Sequence, residues 1–363
     1  MGSRGLIGLM GMVGCGLLMA AGIVSGADSQ LELGKFQARG GNITAVGISN
    51  DGSYLITGED YGQVTLWNVK TGALMQKLMG HSREIFAAAI LADGKRGVTC
   101  GDDDLIIVWE LATGERLQEI DTDGAIPLAL SCSPDGAFAA TGCYDGRIII
   151  WNLATGKRAA TLPHGAQNCG VRYSPDGKML AAGYADGEVI VWDTSNWRPM
   201  RSFPPADDAS VGALGFTMDS RLLVTGNQDG EGFVWDLASG KEVSHFAGYA
   251  NPEASPSPPQ APVFPGSRIE PDNRTAVVFV LPSPDGSNIL APIQDETPQF
   301  WDTKTGLLLG TADWYEDNRF YIARFGFTYP SASYTPDRQY IATTNENFAQ
   351  VWRCSFTPVP IPQ

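Results

Sequence analysis

Short apolar runs broken by turn residues follow one another along most of the chain. One clear unit has apolar runs at 126–132, 137–143 and 148–151 and a fourth run at 157–162, with turns at 133–136, 144–146 and 154–156. Runs of this length, rich in β-branched residues and bounded by Pro, Asp and Gly, are typical of strands joined by tight turns. Each unit therefore predicts an antiparallel meander of four strands, called a, b, c and d.

Tryptophan marks the end of strand c in every unit. The seven tryptophans in this register are separated by 42, 42, 41, 43, 66 and 51 residues: Trp67, Trp109, Trp151, Trp192, Trp235, Trp301 and Trp352. An aspartate precedes each tryptophan by 16 residues, or by 15 in the last unit: Asp51, Asp93, Asp135, Asp176, Asp219, Asp285 and Asp337. A period of about 40–45 residues is that of a β-propeller blade. The sequence predicts an all-β ring of seven blades.

Specific motifs add a family resemblance. The chain carries Gly80-His81, Ser-Pro-Asp-Gly beginning at Ser133, Ser174 and Ser283, and Trp-Asp at Trp192, Trp235 and Trp301. With these it resembles the WD40-repeat proteins over roughly residues 31–355. The resemblance implies a seven-bladed WD40-type β-propeller of four-stranded antiparallel blades.

The resemblance also implies a buried structural tetrad in the blades. Blade 2 matches it fully, with His81, Thr99, Asp103 and Trp109. Blade 4 has His164, Asp186 and Trp192, but Ala182 replaces the hydroxyl residue, and blade 1 has Tyr61 at the aspartate position. The family's closure rule implies that the segment 31–36 supplies strand d of blade 7, because the Pro-rich tail 356–363 is a poor strand.

The first 27 residues lie outside the repeats. Arg4 precedes an uncharged run from Leu6 to Val24, and Ser25-Gly26-Ala27 offers small residues for cleavage. This pattern predicts a secretory signal peptide over residues 1–27 and an exported protein, periplasmic or secreted. The alternatives are an uncleaved membrane anchor over residues 6–24, a lipoprotein modified at Cys15, and a cytoplasmic scaffold.

Charge and cysteine usage exclude several classes of partner. The chain has 25 Lys and Arg against 40 Asp and Glu, a net charge of −15, so a nucleic acid is not an expected partner. Five cysteines follow residue 27 without a Cys-x-x-Cys pair, which favours small buried side chains over a disulfide framework or a zinc site.

Two long connections are candidates for binding a partner. The Pro-rich insertion 249–274 lies in the d–a loop between blades 5 and 6, and a second long connection carries Trp314, Tyr315 and Arg319. In WD40 propellers the d–a and b–c loops share the top face, where Arg83, Asp207 and Asp208 also fall. Trp, Tyr and Arg are common interface hot spots. The alternatives are a solvated insertion without a role and a Trp314 that packs in strand d of blade 6.

No catalytic motif is recognisable. His81 and His164 occupy the structural position, and the chain lacks a Gly-x-Ser-x-Gly elbow and a phosphate-binding glycine loop. We expect no catalytic residue, cofactor or metal, and predict a monomeric propeller that presents a rigid top face to a protein partner. The alternative is an enzyme, or a binder of carbohydrate or metal, that uses the central channel. Several unpaired carboxylates lining that channel would favour it.

Overall fold

A computed structural model describes residues 32–38, 40–204, 209–247, 276–277, 279–292, 298–311, 332–345 and 348–354. These residues form seven separate sheets, each with four antiparallel strands. The prediction of an all-β, seven-bladed propeller is therefore confirmed. The described part of the chain contains no helix that is long and apolar enough to cross a membrane.

Blades 1 to 5 are regular meanders whose strands follow one another in chain order. Blade 1 consists of β2 (Ile43–Ile48), β3 (Tyr54–Glu59), β4 (Val64–Asn68) and β5 (Leu74–Leu78). Blade 2 consists of β6 (Ile85–Ile90), β7 (Arg96–Gly101), β8 (Leu105–Glu110) and β9 (Arg116–Asp121). Blade 3 consists of β10 (Pro127–Cys132), β11 (Phe138–Cys143), β12 (Ile148–Asn152) and β13 (Lys157–Leu162). Blade 4 consists of β14 (Asn168–Tyr173), β15 (Met179–Tyr184), β16 (Val189–Asp193) and β17 (Arg198–Phe203). Blade 5 consists of β18 (Val211–Phe216), β19 (Leu222–Asn227), β20 (Glu231–Asp236) and β21 (Lys241–Ala247).

The last two blades have shorter strands, and one of them takes a strand from the other end of the chain. Blade 6 consists of β22 (Leu281–Pro282), β23 (Asn288–Ala291), β24 (Gln299–Asp302) and β25 (Leu308–Thr311). Blade 7 consists of β26 (Ala332–Tyr334), β27 (Tyr340–Asn345), β28 (Phe348–Arg353) and β1 (Glu32–Gln37). The register of β1 on β28 runs from Glu32 opposite Trp352 to Gln37 opposite Phe348.

The recurring aspartate has a structural explanation in the a–b turns. In six turns its carboxylate accepts a hydrogen bond from a Ser or Thr hydroxyl two residues earlier, at 2.5 to 2.7 Å. It also accepts the backbone N–H two residues later, as Ala137 N donates to Asp135 at 3.0 Å. In blade 6 the hydrogen bonds from Ser283 and Ser287 lower the pKa of Asp285 to about 2. The aspartate therefore encodes the turn locally and does not require long-range contacts.

The hydrophobic core lies between neighbouring blades. Seven clusters of buried side chains are present among the described residues, and each joins two adjacent sheets. One cluster packs Phe36 of β1, at 1% exposure, with Trp67 of blade 1 and Val351 of β28. Each blade thus stabilises its neighbours around a common axis, as expected when one repeat alone cannot bury its apolar face.

Several predictions fall on parts of the chain without described structure. Residues 1–27, the insertion 249–274 and the tail 356–363 lie outside the described residues. Trp314 does so as well, since the described part of strand d of blade 6, β25, covers Leu308–Thr311. The alternative that Trp314 packs in strand d of blade 6 therefore stays a prediction.

Candidate functional site

The blade 2 tetrad is assembled as a chain of buried hydrogen bonds. Nδ1 of His81 lies 2.9 Å from Oδ1 of Asp103, and Nε2 lies 2.8 Å from the Thr99 hydroxyl. Nε1 of Trp109 donates to that same hydroxyl at 2.8 Å. The arrangement assigns the ring proton to Nδ1, so that Thr99 donates to Nε2 while it accepts from Trp109.

The electrostatics of His81 agree with this neutral tautomer. Burial lowers the pKa of His81 below 6.5 and outweighs the opposing effect of the Asp103 carboxylate. Asp103 is itself held by the backbone N–H of Ser82 at 2.8 Å. The four residues therefore connect the loop before strand a to strands b and c, and their role is structural.

The tryptophan–threonine hydrogen bond is more widespread than the full tetrad. It recurs in blades 1, 3 and 5, at 2.9 Å from Trp67 to Thr57, 2.9 Å from Trp151 to Thr141 and 3.1 Å from Trp235 to Thr225. Blades 4, 6 and 7 have alanine at the threonine position: Ala182, Ala291 and Ala342. In blade 6, the indole nitrogen of Trp301 is consequently buried without a partner among the described residues.

Blade 4 uses its histidine differently from blade 2. Nε2 of His164 lies 3.0 Å from a Glu188 carboxylate oxygen, whereas the nearest oxygen of Asp186 is 3.9 Å away. The imidazole stacks on the ring of Tyr184, with centroids 3.6 Å apart. The tetrad geometry implied for His164 and Asp186 is therefore not formed. Ala182 has no hydroxyl to bind the imidazole, and the imidazole binds Glu188 instead. The hydrogen bonds from His164 and Ser202 lower the pKa of Glu188.

The predicted partner-binding residues are only partly located. Trp314, Tyr315, Arg319, Asp207 and Asp208 lie outside the described residues. Arg83 is placed on the top face, with 67% of its side chain exposed and Nη1 3.3 Å from an Asp102 carboxylate oxygen. An ion pair this exposed contributes little to stability, so Arg83 remains accessible to a partner.

Sequence reasoning missed a set of exposed apolar side chains near Arg83. Tyr61, in the b–c turn of blade 1, is 75% exposed, and Met79, directly after β5, is 70% exposed. A Cβ on Gly62 would lie 2.8 Å from the carbonyl oxygen of Arg83, so the turn carrying Tyr61 packs directly on the loop carrying Arg83. The signal was available, because Tyr61 stands where blade 2 has the tetrad aspartate. We call Tyr61, Met79, Arg83 and Asp102 the blade 1–2 patch.

The surroundings of this patch are acidic. Glu84 follows Arg83 in the same loop, and its carbonyl oxygen accepts the backbone N–H of Asp102 at 2.9 Å. The pKa of Glu84 is raised, first by burial and then by the charges of Asp60 and Asp102. A raised pKa that is partly due to neighbouring carboxylates indicates a negative potential on this part of the top face.

The central channel opens into a cavity at the end of the ring formed by the a–b turns. Its volume is about 420 Å³, and six blades contribute to its wall. The described lining contains no Asp or Glu; its charged side chains are Arg172 and Arg338. The described lining of this cavity therefore lacks the carboxylates expected of a carbohydrate or metal site.

Comparison with known families agrees with the repeat structure. Residues 30–68, 72–110, 115–152 and 156–193 match the WD40 family, the WD domain, G-beta repeat. Each matched segment contains the strand d of one blade and ends one residue after the strand-c tryptophan of the next. The four repeats, together with the seven-bladed fold, support the WD40 family. No curated protein matches the chain.

Proposed function

We propose, on the support of its four WD40 repeats, that the chain is a non-catalytic scaffold which binds a protein partner through the top face of the ring. WD40 propellers are generally protein-interaction scaffolds. The observation that carries the proposal is the blade 1–2 patch, where Tyr61 is 75% exposed beside Arg83. An exposed Tyr and Arg whose loops pack together, with an exposed Met four residues before the Arg, match the composition of interface hot spots.

The surrounding scaffold suits recognition without rearrangement. The turn carrying Tyr61 connects two paired strands of blade 1, and Glu59 N donates to Gln63 O at 2.9 Å across that turn. Gly62 adopts a φ of +80° in the same turn, which its lack of a Cβ permits. Because the loop backbone is held by the sheets, binding does not have to order it at the same time, which reduces the entropic cost of association.

The charge of the patch specifies what the partner presents. Asp60, Glu84 and Asp102 surround Tyr61 and Arg83, and the whole chain carries a net charge of −15. We propose that the partner contacts this surface with an apolar or aromatic group flanked by Lys or Arg. Electrostatic attraction between the acidic patch and a basic partner raises the association rate and weakens as the salt concentration rises.

The test is a binding comparison between point variants of opposite faces. Tyr61→Ala and Arg83→Ala are compared with Leu307→Ala, because Leu307 is 66% exposed in the c–d turn of blade 6 on the other face. The proposal predicts that a partner captured by the wild type is lost by both top-face variants, at about 2 kcal/mol for Tyr61, and is kept by Leu307→Ala. Equal capture by all four proteins would refute it.

We also propose that the chain is exported, with residues 1–27 acting as a cleaved signal peptide. The support is the charge and apolar pattern of that segment. Sequencing the N-terminus of the mature protein tests the proposal. A terminus just after Ala27 in the exported fraction agrees with it, and a soluble cytoplasmic protein that retains Met1 contradicts it.

A further inference from the structure

Arg338 occupies a turn position that glycine occupies in other blades. The corresponding residues of five a–b turns are glycines with φ between 65° and 71°: Gly52, Gly94, Gly136, Gly177 and Gly286. Arg338 adopts the same left-handed conformation, with a φ of 61°. A long β-carbon-bearing side chain is unfavourable there, and such strain persists where the surrounding structure maintains it.

The Arg338 side chain is directed into the channel cavity and is only partly satisfied there. The residue is 3% exposed, and its Nη2 donates to the carbonyl oxygen of Phe216 in blade 5 at 2.9 Å. Its Nε and Nη1 are buried and meet no partner at hydrogen-bond geometry among the described residues, although the Tyr334 phenol lies close enough to interact with the guanidinium. The neighbouring carboxylate of Asp337 is engaged in its own turn, where it accepts from Thr335 and Gln339.

A second guanidinium, from the far side of the ring of blades, lies over the same tyrosine ring in the channel cavity. Arg172, from β14 of blade 4, lies 5.1 Å above the ring of Tyr334, and Arg338 lies 4.1 Å from the same ring. Nε of Arg172 is also buried without a partner in the described part of the chain. Burial alone would raise the pKa of Tyr334, but the charges of Arg172 and Arg338 and a side-chain hydrogen bond from Arg338 lower it to about 8. The cavity therefore has a positive potential, inside a protein that is acidic overall.

Uncharged hydrogen-bond donors also line the channel cavity. The hydroxyl of Ser131 accepts the backbone N–H of Tyr173 at 3.0 Å, and that of Ser333 accepts the N–H of Ile48 at 3.2 Å. Each hydroxyl therefore retains its own hydrogen for donation. Tyr173 also lines the cavity, and its buried phenolic oxygen has no partner among the described residues.

The buried guanidinium of Arg338 and the half-buried one of Arg172 face a described lining without a carboxylate, which is costly unless an anion compensates their charge. We propose that the channel cavity is a binding site for a small organic anion that carries carboxylate or phosphate groups, with Arg172 and Arg338 as its charge-bearing ligands. Guanidinium forks bind either group with paired hydrogen bonds. The cavity of about 420 Å³ lies within the size range of small-molecule sites. Because it opens opposite the blade 1–2 patch, this site is independent of the proposed protein-binding face.

Citrate and inorganic pyrophosphate serve as probes in thermal unfolding and isothermal titration, each against sodium chloride of equal ionic strength. Wild type is compared with Arg172→Gln, with Arg338→Gly, which introduces the glycine found in five other turns, and with Arg116→Gln as a control. Arg116 is exposed on the outer strand β9, in an ion pair with Glu119. The full-length chain after export, or its equivalent beginning after Ala27, is used throughout.

The proposal predicts that at least one probe raises the unfolding temperature of wild type and Arg116→Gln beyond the effect of chloride. Its dissociation constant is expected to weaken about tenfold or more in Arg172→Gln and in Arg338→Gly. Stabilisation by citrate alone or by pyrophosphate alone assigns carboxylate or phosphate chemistry to the site. Without a probe, Arg338→Gly is expected to unfold at a temperature no lower than wild type. Failure of both probes to bind, or equal binding by all four proteins, would overturn the proposal.

Discussion

Replacing Thr99 by valine isolates the energetic contribution of the blade 2 tetrad. Valine matches the shape of threonine, so the substitution removes the hydroxyl and leaves no cavity. Thr99 is fully buried, and its hydroxyl serves both Nε1 of Trp109 and Nε2 of His81 at 2.8 Å. The variant therefore leaves one buried donor and one buried acceptor without a partner.

The expected cost follows from these two unsatisfied groups. A buried polar group that loses its partner costs about 1–3 kcal/mol, so Thr99→Val should lower the free energy of unfolding by about 2–6 kcal/mol. Thr57→Val in blade 1 is the matched control, because Thr57 is equally buried and binds the indole of Trp67 at 2.9 Å without a histidine. Its expected cost is about 1–3 kcal/mol.

Urea denaturation followed by tryptophan fluorescence measures both variants, and the comparison is valid where the dependence on urea is unchanged. We expect a midpoint shift about twice as large for Thr99→Val as for Thr57→Val. Equal shifts would refute it, because they would mean that the bond from Thr99 to His81 contributes nothing to the folded state.

Further predictions concern stability, pH and strand packing. Ala291→Thr should give the buried indole of Trp301 a partner and raise the free energy of unfolding by about 0.5–1.5 kcal/mol; lower thermal stability would contradict this. Burial lowers the pKa of His81 below 6.5, so the unfolded chain binds more protons below that pH and stability falls as the pH drops from 6.5 towards the folded value. His81→Asn should lack this share of the pH dependence in urea titrations at pH 7.5 and 5.5, and identical profiles would count against it. Gly170→Ala would place a Cβ 2.3 Å from the backbone oxygen of Gly212, so it should destabilise the packing of blades 4 and 5 by about 1–3 kcal/mol in the same assay; an unchanged midpoint would show that the strands can separate at no cost.

The fold was predictable because its determinants are local and repeated. An aspartate that binds a hydroxyl two residues before it and an N–H two residues after it specifies the a–b turn within a few residues, as Asp135 does with Ser133 and Ala137. Six repetitions of this turn, 15 or 16 residues before a tryptophan, leave little freedom in architecture. The blade 2 tetrad was predictable for the same reason, since its spacing is that of the repeat.

The candidate sites were less predictable because they depend on side chains from separate blades. Nothing local in the sequence indicates that Arg172 of blade 4 and Arg338 of blade 7 meet over Tyr334. Arg338 did leave a signal, an arginine where five of the other six turns have glycine. His164 binds Glu188 and not Asp186 because of the directions in which these two side chains point within one turn. The spacing of residues along the sequence does not determine those directions.

Site-specific photocrosslinking from position 61, in the organism that encodes the chain, tests directly whether the top face binds a protein. A photoreactive phenylalanine derivative replaces Tyr61 in one protein and Leu307, on the opposite face, in a second. We expect one partner protein to crosslink reproducibly from position 61 and not from position 307, and we expect Arg83→Ala to reduce the yield of that crosslink. Identical adducts from both positions, or none from position 61, would contradict recognition through the top face.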